Sequence, residues 1–523
     1  MKNIFKNMSF LRFALMGLMI AVFNNCTDRW EDMNTDPGQL KLIPDEYLFT
    51  NAVRSAFNDA SSNLDVTYGG QYAHIYISTS WVRSIDLYQG VSNYDDAQTV
   101  YSDIYRNTVK YAVEVMELTG ENGAYPNKWR SAQAKFMAII GFTKLTDAFG
   151  DIPYLQAGMA KYGITQPEYD EQEFIYPDMI ARMDTIIKIL QEPEAADHIY
   201  PAGIDPVYNG DVEKWIRFAN SYRLNLAMRV RFVKPEYEDV IRECFSLPLI
   251  ENNDQNPTLE TSSDPANSAM WNGWYYRWQE WESGKYYLNF SSMFIDKLKD
   301  TNDPRLPFFS IKSPDPDNPG DSIYIGIPNG LKNEFYGQIS RGDRAAPSEK
   351  FFARDQPVFM LTAAQVQLYK AEALLFNIIN GDDVNTVYQN AIKLAMNQWR
   401  IKFSDIKEYI ENEPEAVLSG TDKEDDFRKI STQFWISTLP NAYNAWTNIR
   451  RTGYPVIKQR TEFYLEPGVT DGYMPVRMLY PTTGERSNNG ENLQKALDRL
   501  GVSVDDIYID KKLWWDVRDA QED

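Results

Sequence analysis

Apolar residues return at three- and four-residue steps through long stretches of this chain, a period that confines most of it to amphipathic helices. In 129–148 (WRSAQAKFMAIIGFTKLTDA), Ala132, Phe136, Ile139 and Phe142 fall on one face, and Gly150-Asp151-Ile152-Pro153 then ends the run. Residues 174–191 repeat the pattern through Met179, Met183, Ile186, Ile187 and Leu190. Residues 213–230 do so again, with Ala219 and Ala227 small enough for a neighbouring helix to come close. A further pair, 362–379 and 384–400, is joined by Gly381-Asp382-Asp383, which supplies a turn and an N-cap. Several helix pairs in one chain predict a mainly α fold, an α-solenoid of stacked hairpins. The 34-residue tetratricopeptide consensus is not clean, so any repeat is degenerate.

The rest of the chain lacks this period. Residues 251–285 and 310–350 are rich in Pro, Gly, Asn and Asp, and SPDPDNPGD (313–321) reads as a long loop. Its Asp315, Asp317 and Asp321 lack the spacing and terminal glutamate of an EF-hand, so no metal site is assigned. Long loops on a rigid helical frame are where binding usually sits.

The N-terminus reads as an address. Lys2, Lys6 and Arg12 precede an eleven-residue apolar run, Phe13 to Phe23, too short to span a bilayer stably. A basic start followed by a short apolar run is the pattern of a secretory signal peptide. Residues 1–25 are assigned to it, and 26–523 to the mature domain. Cys26 stands where a bacterial lipoprotein carries its lipidated cysteine, although Phe23-Asn24-Asn25 departs from the usual small residues before it. Two acyl chains there would give stable anchoring, leaving the lipid as the one membrane contact.

Charge and residue counts exclude several functions. With 53 Lys and Arg against 74 Asp and Glu, the formal net charge is -21, which repels nucleic-acid phosphates and anionic lipid alike. Two cysteines (Cys26 and Cys244) and two histidines (His74 and His198) rule out a disulfide framework and leave little for structural zinc. No phosphate loop, dinucleotide fingerprint, nucleophile elbow or zinc-protease helix occurs, so no catalytic residue and no cofactor is assigned. The one enzymatic chemistry left open is a carboxylate pair for glycoside hydrolysis, and nothing in the sequence points to a particular pair.

Aromatic residues, by contrast, cluster in loop-like sequence. Residues 271–287 (WNGWYYRWQEWESGKYY) hold four Trp and four Tyr, and 68–94 carries Tyr68, Tyr72, Tyr76, Trp81, Tyr88 and Tyr94 among polar neighbours. Sugar rings have apolar C–H faces and hydroxyl edges, which aromatic faces beside amides and carboxylates match. Apolar peptides can use the same surface, and loop aromatics can equally pin loops to a frame. Trp81, Tyr88, Trp271, Trp274, Tyr275, Tyr276 and Trp278 are the predicted ligand-binding residues, with Trp81, Trp271 and Trp274 foremost.

Seven motifs follow one another in order: DMNTDPG (32–38), FTKLTDAFGDIPYLQAG (142–158), KWIRFANSYRLNLAMRV (214–230), NDPRLPFF (302–309), TAAQVQLYKAEALL (362–375), AWTNIRRTGYPVI (445–457) and RMLYPTTGERSNNGENLQKAL (477–497). Together with Trp514-Trp515 they resemble the SusD/RagB family of outer-membrane nutrient-binding lipoproteins. The resemblance implies a tetratricopeptide-like helical frame carrying a large loop-rich ligand-binding region. It further implies a cell-surface lipoprotein, not an enzyme, that binds oligosaccharides or polysaccharides and delivers them to a SusC-like TonB-dependent β-barrel transporter. Capture of peptides or protein fragments is the alternative, and a surface glycoside hydrolase the more distant one. The shared motifs look like frame signatures, so the aromatic site residues rest on clustering and not on any motif.

Overall fold

Capping side chains set where several of the helices begin. In the computed structural model, the residues described are 43–59, 63–78, 83–90, 96–264, 272–275, 288–318, 320–336, 344–481 and 483–519. Helix α1 spans Asp45–Arg54. Helix α2, Lys110–Thr119, continues a helix begun at Asp96–Asp103 through a π-helical stretch, Ile104–Val109. Helix α3, Lys128–Phe149, starts where Asn127 accepts from the amides of Trp129 and Arg130. Helices α4 (Gln172–Leu190), α5 (Val212–Val230) and α6 (Glu238–Phe245) follow, then α7 (Ser292–Asp300). Helices α8 (Ala363–Leu375) and α9 (Val384–Gln398) form the predicted pair. Thr362 and Gln365 make a reciprocal capping box at the start of α8, and Asp383 caps α9 through the Thr386 amide. Helices α10 (Phe403–Asn412), α11 (Lys423–Ser437), α12 (Ala442–Thr452) and α13 (Gly490–Arg499) are the last of the longer helices among the described residues.

Helices adjacent in sequence pack side by side. Helix α2 lies on α1 and α3, α4 on α3 and α5, α8 on α9 and α11, and α11 on α12, while α5 also meets α6 and α8. The architecture is mainly α, a frame of helical hairpins as the apolar period predicts, and tetratricopeptide-like as the resemblance implies. Among the described residues, no helix is long and apolar enough to cross a membrane.

Glycine decides two junctions. Gly150 ends α3 at φ 97, a left-handed conformation that a side chain rarely adopts. Gly69 sits in a π-helical segment, Leu64–Gly69, that packs on α12. A Cβ there would lie 2.5 Å from the Tyr443 Cα, so only glycine permits this approach.

Among the described residues, six short strands pair into three antiparallel ladders: β1 (Tyr76–Ser78), β2 (Thr258–Leu259), β3 (Leu288–Phe290), β4 (Ser313–Pro314), β5 (Ser322–Ile323) and β6 (Val358–Phe359). Strand β1 pairs with β3, β2 with β6, and β4 with β5. The 313–321 stretch, expected as an open loop, therefore begins inside a ladder. Asp315 turns inward on its own turn, accepting from the Asp317 amide and the Asn318 side chain. Among the described residues, no group of three or more acids, histidines or cysteines is placed to hold a metal.

Two buried carboxylates join the hairpins. Glu372 of α8 accepts two hydrogen bonds from Arg231, just beyond α5, and two from Arg451 of α12, at 2.6–2.9 Å. Asp147 of α3 accepts from the phenols of Tyr176 (α4) and Tyr443 (α12) and lies 3.6 Å from Arg229 of α5. Burial alone would raise the Glu372 pKa, but Arg451 and Arg231 outweigh it and hold the carboxyl below the usual glutamate range. Its ionised form is thus favoured by folding. The stabilisation is complete above the unfolded pKa and is lost as acid protonates the folded carboxyl. Replacing Glu372 with Ala strands two buried guanidinium groups and is expected to cost about 3–5 kcal/mol, read from chemical denaturation at neutral pH.

Candidate functional site

Of the predicted ligand-binding residues, Trp81, Trp271, Tyr276 and Trp278 lie outside the described residues, as does Cys26. Tyr88, Trp274 and Tyr275 lie within them, and all three are buried. Tyr88 takes a left-handed conformation at φ 54, its hydroxyl meets His74 Nε2 at 2.8 Å, and the Arg460 guanidinium lies 3.4 Å over its ring. Burial, helped by Arg460, keeps His74 well below the ordinary histidine pKa, so the pair is a neutral hydrogen bond.

Trp274 and Tyr275 belong to a single helical turn. Asn272 accepts from the Trp274 amide at 2.8 Å and donates to the Gln356 carbonyl, while the Gly273 amide reaches the Asn58 side chain at 2.7 Å. The Trp274 indole is 1% exposed and Arg354 lies 5.0 Å over the Tyr275 ring. In this arrangement the turn fastens the first aromatic segment to the frame. The earlier cluster divides similarly. Tyr68, Tyr72 and Tyr76, read from sequence as part of a loop-like aromatic run, are core residues of the π-helical segment, the turn after it and β1. Their physical reason is Trp446 of α12, whose ring meets Tyr72 at 5.2 Å, with Tyr68 and Tyr88 edge-on to the same Tyr72 ring.

Strand pairing brings together a described flank of each aromatic segment. Ser78 is opposite Leu288 at the end of the β1–β3 ladder. The chain therefore leaves β1 toward Trp81 at the point where it enters β3 from the 271–287 cluster. Beside this ladder, Ile77 packs with Ile327 and Leu331, and Phe335, Tyr336, Tyr464 and Leu465 close over them. A cavity of about 530 Å³ opens there, lined by Ile325, Pro328, Leu331, Phe335, Arg344 and Tyr464 among others. At its margin Phe463 is 76% exposed, edge-on to Phe335 and Tyr464 at 5.5 Å from each.

This aromatic shelf is held rigidly from below. Leu331 bridges Leu465, the Lys332 amide donates to the Tyr464 carbonyl at 2.9 Å, and the Glu466 amide to the Gly330 carbonyl at 2.7 Å. Arg83 stacks 3.8 Å over Tyr336 and donates to the Leu331 carbonyl. Asp86 accepts from Asn329 and the Gly330 amide at 2.7 and 2.8 Å. Burial raises its pKa, against the pull of Arg460 and these hydrogen bonds. The shelf thus offers apolar ring faces, a phenol and a guanidinium on a preorganised base, which suits a ligand with apolar faces and polar edges. No local pattern marks the shelf, because Phe335 and Phe463 stand 128 positions apart in polar stretches.

A family model described as SusD-like, starch-binding associating with outer membrane, matches residues 37–481. The chain belongs to the SusD-like family. Solved structures agree over nearly its whole length. A chitin-binding protein is 27% identical, with a TM-score of 0.76, covering 91% of this chain and 100% of its own. A SusD homolog from Bacteroides uniformis is 24% identical (TM-score 0.74, 91% and 99% covered). A chitin-binding SusD homolog from Flavobacterium johnsoniae is 20% identical (TM-score 0.74, 90% and 98% covered). No curated protein matches the chain.

The burial pattern separates two kinds of aromatic residue by experiment. Trp274→Ala is expected to destabilise this SusD-like fold by about 3–5 kcal/mol, because a large buried ring is lost. Phe463→Ala should leave the denaturation midpoint within error, since its ring is largely in water.

Proposed function

We propose that this SusD-like protein is a cell-surface lipoprotein of the outer membrane, anchored through Cys26 after removal of residues 1–25, that binds oligosaccharides or polysaccharides. It delivers them to a SusC-like TonB-dependent transporter. The observation that supports the reading is the β1–β3 pairing, which sets Ser78, from which the chain runs on to Trp81, opposite Leu288, just after the 271–287 segment, near the Phe335–Phe463–Tyr464 shelf. Ring faces flanked by hydrogen-bonding groups are the chemistry that sugars use. The chitin-binding relative at 27% identity supports a glycan ligand and makes chitin oligosaccharides the first to try. Trp81, Trp271 and Trp278 supply ring faces in this reading, with Phe463 as a further platform. Tyr88, Trp274, Tyr275 and Tyr276 complete the site, the three described ones by holding the segments in place.

The lipid tether keeps binder and transporter at high effective concentration, so their contact need not be tight. The test is binding of the purified protein to immobilised polysaccharides and peptides, followed by Trp fluorescence and product analysis. A glycan that binds, shifts Trp fluorescence and keeps its length is the expected result. Peptide-only binding would replace the glycan reading, and shortened chains would show a hydrolase. Trp81→Ala, Trp278→Ala and Phe463→Ala should each weaken glycan binding by roughly 1–3 kcal/mol, by analogy with stacking of bases on aromatic rings. Unchanged affinity in the triple variant would remove this site.

A further inference from the structure

A second cavity, of about 740 Å³, shares no lining residue with the aromatic shelf and is of a size that small ligands fill. It runs along one face of the helix that begins at Asp96, passes through the π-helical stretch Ile104–Val109 and continues as α2. Tyr101, Tyr105, Val109 and Val113, four positions apart, form that face, and Pro153 and Ala157 stand across from it. A π-helical turn breaks the regular hydrogen bonding of a helix and occurs frequently at functional sites.

The cavity carries opposite charges at separate places. Glu485 lines it beside Tyr101. The Glu485 carboxylate accepts from the Tyr169 hydroxyl at 2.7 Å, and that hydroxyl lies 3.4 Å from the Tyr101 phenol. Burial raises the Glu485 pKa, hydrogen bonds from Tyr169 and Asn489 oppose the rise, and among the described residues no cation pairs with it. Nine positions beyond Tyr101, Lys110 stands exposed on the wall, with no acid in ion-pair reach among the described residues. The other wall cations are already met. Arg106 pairs with Asp103 at 3.3 Å, and Lys161 with Glu114 at 3.6 Å and with Glu117.

The length and lining of the cavity narrow the choice of ligand. Nine helical residues put the two charges roughly 13 Å apart, and four residues of extended peptide span about 13 Å. A single amino acid is too short to reach both. The wall between them is aliphatic and offers little open ring face. Tyr101 is 3% exposed and edge-on to Phe149, while the Tyr105 hydroxyl donates to the Pro153 carbonyl at 2.7 Å. Sugar stacking needs an accessible ring, so this lining suits apolar side chains better than a glycan.

We propose that this cavity binds short apolar peptides with free termini, the α-ammonium at Glu485 and the terminal carboxylate at Lys110. An ammonium gives the half-buried Glu485 carboxylate the charged donor that the protein itself does not supply. A blocked amino terminus leaves that carboxylate unmet.

The test is a titration of the purified protein with the tetrapeptide Leu-Ala-Ala-Leu, its N-acetyl form and its C-terminal amide, followed by calorimetry. The free peptide should bind, with the acetylated form roughly tenfold weaker or more, as loss of a charge-assisted hydrogen bond implies. Glu485→Gln keeps an acceptor for the Tyr169 hydroxyl and should bind the free and acetylated peptides alike. Lys110→Met, at an exposed position, should remove the preference for the acid over the amide. Equal binding of free and acetylated peptide by the unaltered protein, no binding at millimolar concentration, or a preference that survives in Glu485→Gln each overturns the proposal. Phe463→Ala should leave peptide affinity unchanged, and a loss there would move the peptide to the shelf and overturn the assignment to this cavity.

Discussion

Two acids out of contact with water hold this fold together. Asp147 and Glu372 together engage side chains on α3, α4, α5, α8 and α12, so hairpins far apart in sequence are tied together. Tyr443 and Asp147, for example, are 296 positions apart. Hydrophobic packing would bury these helix faces in many similar ways. Bidentate arginine–carboxylate bonds have a narrow geometry and select one register among them. Once α12 is so placed, Gly69 lets the π-helical segment rest against it, and β1 emerges at a defined point. The position of the aromatic shelf therefore follows from charges buried elsewhere in the frame.

The frame was legible in the sequence because its determinants are local. Apolar periodicity located α3, α4, α5, α8 and α9 to within a few residues, and Asp383 was recognisable as a cap from its place after Gly381 and Asp382. Four of the seven motifs that suggested the family share one job. Asp147, Arg229, Glu372, Arg450 and Arg451 each fall inside a different or adjoining part of those motifs, and they meet in the ionic centre. Motifs of this kind report how helices are joined and carry no information about what is bound.

The site was harder to read because its determinants are not local. Aromatic density marked 271–287, yet density alone does not say which rings face water. Trp274 and Tyr275 are anchors, since Asn272 and Gly273 fasten their turn to residues more than eighty positions away. Phe463 was invisible for the opposite reason. A lone Phe between Glu462 and Tyr464 has no pattern, and it gains meaning only when Leu331 bridges Leu465 and brings Phe335 alongside. Tyr88 lies in between, a recognised aromatic whose place beside Arg460 depends on contacts across the whole chain.

The β1–β3 ladder is only three residues long on each side, and Tyr275 is fastened a few positions after Asn272. Whatever chain joins Tyr275 to Leu288, or Ser78 to Arg83, begins and ends on fixed posts. Loop-closure entropy grows slowly, by about 0.6 kcal/mol for each doubling of length. Sequence and length between such posts can therefore be exchanged while the helices beneath stay unchanged. In engineering terms the molecule is a socket, and new recognition segments can be grafted between its posts without redesigning the base.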